Sequence, residues 1–176
     1  RRIESRRLVT DAAILRAILA LAPSRVLDMG CGEGWLCRGL AAHGIESVGV
    51  DASAPLIEVA RAAGKAQYRV CGYAELESQA DLLGRFELLV CNFALLEEPL
   101  APILESLHSL LVPGGKLLIQ TLHPWSARGA GPYQDGWRIE TFEGFGEGFR
   151  EPMPWFFRTL ESWLALLHET GWRLHW

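Results

Sequence analysis

The sequence predicts an α/β protein in three layers, with a mostly parallel sheet between two sets of helices. Three observations carry that prediction. Apolar runs at Val26–Leu27, Ser47–Val50 and Phe86–Asn92 alternate with segments of helical spacing. The runs are continuous where a half-exposed strand would alternate, so the strands are buried on both faces. And residues 26–53, VLDMGCGEGWLCRGLAAHGIESVGVDAS, read as strand, glycine-rich turn, helix and second strand, with a carboxylate at the end of each strand.

The elements follow in order. Thr10 or Asp11 opens a helix whose apolar face is Ile14, Leu15, Ile18, Leu19 and Ala22, and Pro23 closes it. The first strand is Arg25–Met29, followed by a helix from Gly34 to Ala42 and a second strand, Ser47–Val50. Ser53 caps the next helix, with Pro55 in its first turn and Gly64 at its end. A short strand, Tyr68–Cys71, leads to a helix over Glu75–Leu83 and then to the fourth strand, Phe86–Asn92. Pro99 opens a helix in which Leu100, Ile103, Leu104, Leu107, Leu110 and Leu111 repeat at helical spacing. Pro113-Gly114-Gly115 stops it, and Lys116–Leu122 is the fifth strand. A last helix, Leu160–Thr170, has Thr159 as cap and Gly171 as stop, before a strand beginning at Trp172.

The glycine-rich turn has a chemical reading. Glycines permit backbone angles closed to other residues and let a ligand lie against the main chain. Amides at the following helix N-terminus can receive an anionic group. Asp51 is placed to accept hydrogen bonds from a ribose diol; the competing reading is a cap for the following helix, for which Ser53 is better suited. Asp28 orders the glycine turn by accepting backbone amides or touches the amino-acid part of a ligand. The dinucleotide fingerprint needs a third glycine where this chain has Trp35, so a dinucleotide oxidoreductase is disfavoured.

Asp28-Met29-Gly30-Cys31-Gly32-Glu33-Gly34 resembles the D-x-G-x-G-x-G loop of class I S-adenosylmethionine-dependent methyltransferases. Arg69 to Leu76 resembles the family's adenine-binding turn, with Tyr73 where an acid is common. Phe86 to Leu96 resembles its fourth-strand motif, and Leu110 to Leu117 its turn into strand five. The resemblance implies a Rossmann-like sheet of the seven-stranded type. It also implies S-adenosylmethionine as cofactor and S-adenosylhomocysteine as product, held by Asp28, Gly30, Cys31, Gly32, Gly34, Asp51, Ala52, Gly72, Tyr73, Ala74, Asn92 and Phe93. The family's chain closes with a sixth and an antiparallel seventh strand. Trp172–Trp176 supplies at most the sixth, so the chain is expected to be shortened at its C-terminus, and Arg1 in place of Met points to a trimmed N-terminus.

Composition narrows the function. The length of 176 residues fits one domain: an N-terminal helix (1–24), a cofactor core (25–122), a cap insert (123–157) and a terminal helix and strand (158–176). A net charge of −4, with basic clustering only at Arg1, Arg2, Arg6 and Arg7, disfavours nucleic acid as main partner. No stretch is long and apolar enough to span a membrane, and Asp11 and Arg16 interrupt a signal-peptide pattern. Cys31, Cys37, Cys71 and Cys91 lack paired spacing and read as reduced core thiols. No metal-ligand spacing is present. The expectation is a cytoplasmic enzyme, monomer or homodimer.

From His123 to Phe157 the chain carries six glycines and nine of its seventeen aromatic residues. Such a loop packs over something or binds something, and Trp137–Phe142 alternates enough to form one strand of a hairpin cap. His123, directly after the fifth strand, is a candidate general base; holding the loop by a hydrogen bond is its alternative role. Trp125, Tyr133, Trp137 and Arg158 are candidate acceptor-pocket residues, Arg158 favouring an anionic group. Residues 121–125 and 155–159 resemble the bacterial branch that includes quinone-biosynthesis enzymes, which implies methyl transfer to an O or N of a small molecule. The alternative is a non-catalytic cofactor-binding subunit of the same fold.

Overall fold

The computed structural model describes residues 6–64, 66–142 and 152–175. Five parallel strands form the central sheet in the order β3-β2-β1-β4-β5. These are β1 (Arg25–Met29), β2 (Glu46–Asp51), β3 (Gln67–Val70), β4 (Phe86–Asn92) and β5 (Leu111–Gln120). The order reverses between β1 and β4. At such a switch point the loops leaving the strands diverge to opposite faces and open a crevice at the carboxyl edge.

Helices cover both faces. On one side Ile14 and Ile18 of α1 (Asp11–Leu21) and Leu36 and Leu40 of α2 (Trp35–Ala41) pack on Val26, Leu88 and Val90. Trp35 joins this cluster as packing. Ile57 and Ala60 of α3 (Ala54–Ala63) pack with Cys31, Cys37 and Tyr68. On the other side Leu104 of α5 (Ala101–Ser106) and Leu83 of α4 (Ala80–Leu83) cover Leu27, Met29, Leu89 and Cys91. All four cysteines are free and buried.

The expected strand boundaries hold at β1 and β4 and shift by a residue at β2 and β3. Four expectations are corrected. Glu75–Leu83 is not one helix: a 3-10 turn, Tyr73–Glu75, at whose start the Glu75 carboxylate accepts the Gly72 amide at 2.8 Å, precedes the short α4. Pro99 lies outside α5, which begins at Ala101 with Pro102 in its first turn. The helix ends in a 3-10 turn at Leu107–Leu110, and Pro113-Gly114-Gly115 lies within an irregular start of β5, where the register slips between Phe86 and Leu88. Finally, residues 172–175 form no strand. Trp172 instead stacks on His108 at 4.1 Å and donates its indole N–H to the Leu104 carbonyl, which fastens the tail to α5.

After β5 the chain makes α6 (Pro124–Ala127) and an antiparallel hairpin of β6 (Gly136–Glu140) and β7 (Met153–Phe157). The hairpin cap expected from the aromatic insert is therefore present. Thr159 caps α7 (Leu160–Glu169), its hydroxyl accepting the Ser162 amide, as the sequence suggests. Among the described residues no helix is long and apolar enough to cross a membrane.

Candidate functional site

The glycine turn takes the form its residues permit. Gly30, Gly32 and Gly34 have φ of +71°, +55° and +76°, a region that side chains resist. Gly30 is also closely packed, since a β-carbon there would lie 2.6 Å from that of Ala94. Gly34 abuts the Tyr68 ring, and the Tyr68 hydroxyl donates to its carbonyl. Gly32 differs: nothing lies within 4 Å of where its side chain would be. The turn thus presents bare backbone to open space at one point and is wedged tight at two.

The turn-ordering role expected of Asp28 falls to Asp51. Asp51, at the end of β2, accepts the Gly32 amide at 2.9 Å and the Ser53 amide at 2.8 Å, so it orders the glycine turn and also caps α3. Ser53 itself makes no side-chain cap bond. Each Asp51 oxygen keeps a lone pair beyond its single amide bond, the acceptor capacity that a diol needs. Asp28 is 2% exposed and faces the Cys37 thiol under α2, not the turn amides. Burial pushes its carboxyl up to about 7, with Asp51 adding to the rise and the Cys37 hydrogen bond opposing it.

The other expected cofactor residues lie at the ends of β1, β2, β3 and β4 and on the turns that follow them. A β-carbon on Gly72 would sit 3.8 Å from that of Ala52, which places the turns after β2 and β3 side by side. Tyr73, beside Ala74, donates its hydroxyl to the Ala94 carbonyl at 2.9 Å and ties the β3 turn to the β4 loop. Burial keeps that hydroxyl neutral by pushing its pKa up. Asn92 ends β4 level with Gln120 of β5, and the side-chain oxygens of both are buried without a donor. Phe93 has a φ of +55° and gives its amide to the Gln120 carbonyl. Cys31 contributes main chain only; its thiol packs into the core against Gly49, where burial raises its pKa.

Beside the crevice lies a cavity of about 300 Å³ under the hairpin. Phe93, Leu95 and Leu96 of the β4 loop form one wall, Thr121 and Leu122 another, and Met153, Trp155, Phe156 and Phe157 of β7 the roof. Ala94, pressed against Gly30, sits between Phe93 and Leu95, so one loop serves both the glycine turn and the cavity.

Of the expected acceptor residues only Arg158 lines this cavity. Trp125 and Trp137 are each 59% exposed, and Tyr133 props the hairpin edge-on to Phe157 while its hydroxyl accepts the Leu160 amide. The Arg158 guanidinium already pairs with the Glu98 carboxylate and donates to the Glu97 carbonyl at 2.6 Å. His123 is exposed and absent from the lining, and its Nδ1 accepts the Trp125 amide at the start of α6. The loop-holding role is the one its geometry serves. Sequence reading did not assign Leu96, Trp155 and Phe156 to the acceptor pocket; for Trp155 the alternation of 153, 155 and 157 along β7 was the available signal. Among the described residues no group of three or more His, Cys, Asp or Glu is placed to hold a metal.

The open space over Gly32, the diol-capable Asp51 and the paired turns at Ala52 and Gly72 fit an adenosyl cofactor. Residues 3–175 match the family model described as methyltransferase domain. A ubiquinone biosynthesis O-methyltransferase from Xanthomonas oryzae pv. oryzae is 37% identical over 114 residues, 61% of this chain and 46% of the relative. The match thus spans less than half the length of that relative. An S-adenosylmethionine-dependent methyltransferase from Mesorhizobium loti superposes with a TM-score of 0.69 at 25% identity, covering 93% of this chain and 81% of the other. The plantazolicin methyltransferase BpumL, solved with S-adenosylhomocysteine, shares the fold at a TM-score of 0.66 and 18% identity, over 94% and 63% of the two chains. The chain belongs to the methyltransferase domain family and has the Rossmann-like fold of the S-adenosylmethionine-dependent methyltransferases.

Proposed function

We propose that the chain transfers a methyl group from S-adenosylmethionine to an oxygen or nitrogen of a small, largely apolar acceptor. The observation that carries this reading is the shared loop: Ala94 packs on Gly30 while Phe93, Leu95 and Leu96 line the apolar cavity. The O-methyltransferase name of the curated relatives supports oxygen as the atom methylated.

Gly30, Gly32 and Asp51 would hold the nucleoside half of the cofactor, Ala52, Gly72, Tyr73 and Ala74 would flank its base, and Asn92 would lie by its amino-acid end. When bound, the cofactor supplies a methyl group activated by a positive sulfur, ready for in-line displacement. The work left to the protein is alignment and exclusion of water. Phe93 and the β7 aromatics supply dry walls, and the hydrogen bond from Tyr73 to Ala94 fixes the loop between donor and acceptor. The proton of an attacking hydroxyl becomes strongly acidic as the methyl arrives and would pass to the Glu140 carboxylate of the lining.

The test is calorimetry with S-adenosylhomocysteine, followed by a product assay over aromatic hydroxyl and amine acceptors. Micromolar binding with turnover on at least one acceptor class is expected. Failure to bind would overturn the reading. Binding without turnover on any acceptor would favour a non-catalytic cofactor-binding subunit.

A further inference from the structure

The cavity under the hairpin contains a buried guanidinium whose charge is already matched. Arg158 is 3% exposed. Its Nη2 meets the Glu98 carboxylate and the Glu97 carbonyl, while its Nη1 has neither solvent contact nor a hydrogen-bond partner. The group is gripped by two rings, 4.7 Å from the centroid of Phe156 and 5.3 Å from that of Trp163, both of which line the cavity. A buried donor left unmade is costly, and apolar walls keep water from it. Arg158 is part of the cavity lining, so a small rotation of its guanidinium would bring this N–H to an acceptor atom carried in by a ligand.

What kind of atom follows from the charges. Glu98 cancels Arg158, and among the described residues the remaining charged side chain of the lining, Glu140, is a carboxylate that takes the Phe142 amide on one oxygen. An anionic ligand would meet a neutralised cation and an acid. An uncharged oxygen would meet one spare N–H and no opposing charge. Building on the reading of this cavity as the acceptor site, we propose that Arg158 and Glu98 together act as a neutral hydrogen-bond donor that selects uncharged acceptors bearing a carbonyl-type oxygen. Glu98 is the specificity switch, since its side chain is 42% exposed and its removal would return the positive charge to the cavity.

Three probes with one hydrocarbon body test this in calorimetric titrations of the protein saturated with S-adenosylhomocysteine: 4-propylacetophenone, 4-propylbenzoate and 4-propyltoluene. The ketone is expected to bind about three- to tenfold tighter than the toluene, the range of one net hydrogen bond, and tighter than the benzoate. In Glu98→Gln the benzoate should gain about tenfold or more and overtake the ketone. In Arg158→Gln the ketone should fall to the level of the toluene. Thermal melting accompanies each variant, and if Arg158→Gln does not fold, Glu98→Gln decides alone. Benzoate binding tightest in the unaltered protein, or an unchanged order in Glu98→Gln, overturns the proposal while the acceptor cavity stands. Failure of all three probes to bind overturns the cavity reading as well.

Discussion

Asp28 and Asp51 end neighbouring strands, yet their surroundings set them apart. Asp51 meets two backbone amides, and a ligand diol would add to them, so Asp51→Ala should weaken S-adenosylhomocysteine binding by about 1–3 kcal/mol in calorimetry. An unaltered affinity would remove Asp51 from the ribose site. Asp28 sits in the dry layer under α2, with its carboxyl raised from 3.8 to about 7. Its folded-state pKa exceeds the unfolded one, so its contribution to stability is full below pH 4 and is lost as the pH climbs to about 7. Asp28→Asn carries no such penalty. Urea midpoints from pH 4 to 8 should therefore move in favour of the variant, by up to roughly 4 kcal/mol, because each pH step of one between the unfolded and folded pKa values contributes about 1.4 kcal/mol. Parallel profiles for the two proteins would show that Asp28 does not titrate in this range. His123 was legible in the sequence as a histidine at a strand end, but its surroundings were not. With Nδ1 occupied by the Trp125 amide and no place in the cavity lining, His123→Ala should keep turnover within about tenfold, short of the 10²–10⁴ expected of a general base.

At the scale of the element, the glycine turn shows three glycines with three tolerances. Gly34→Ala forces a β-carbon to 2.6 Å from the Tyr68 ring at a φ of +76°, and strain and overpacking together should cost about 2–5 kcal/mol of stability. Gly32→Ala meets open space at +55° and should cost only about 1–2 kcal/mol. The ranking should reverse for cofactor affinity relative to the stability lost, because the new methyl at Gly32 projects into the crevice. Comparing unfolding and titration data for the pair checks both. The sequence announced these glycines by their spacing, since a left-handed turn leaves few other choices. It did not announce the break of Glu75–Leu83 into a 3-10 turn and α4. At that break backbone bonds run at three-residue spacing, from the Leu76 amide to the Tyr73 carbonyl and from the Ala80 amide to the Glu77 carbonyl, a local pattern that apolar spacing does not report.

For the molecule as a whole, the tail shows how tertiary packing overrides local preference. Trp172-Arg173-Leu174-His175 has the composition of a strand, and β5 pairs only with β4 among the described residues. The tail nonetheless stays on α5, where the Trp172 indole stacks on His108 and bonds Leu104, and His108 bonds the Thr170 carbonyl. Trp172→Ala should therefore lower stability by about 3–5 kcal/mol in denaturant unfolding, the range for large aromatic truncations. A loss below 1 kcal/mol would mean that the tail is not fastened there.

Residue order alone was enough to set the layered α/β architecture, the strands β1 and β4, the glycine turn and the position of Asp51. These depend on residue spacing, backbone freedom and burial period, all of which are local. It also placed an aromatic cap after β5, because so many rings require a surface to cover. Which rings face inward was settled by the folded chain. Met153, Trp155, Phe156 and Phe157 of β7 line the cavity, while Trp125 and Trp137 remain outside. The fold likewise spends Arg158 on Glu98, sixty positions earlier in the chain. A sequence displays charges one by one, but which charges cancel is fixed by the packing that brings them together.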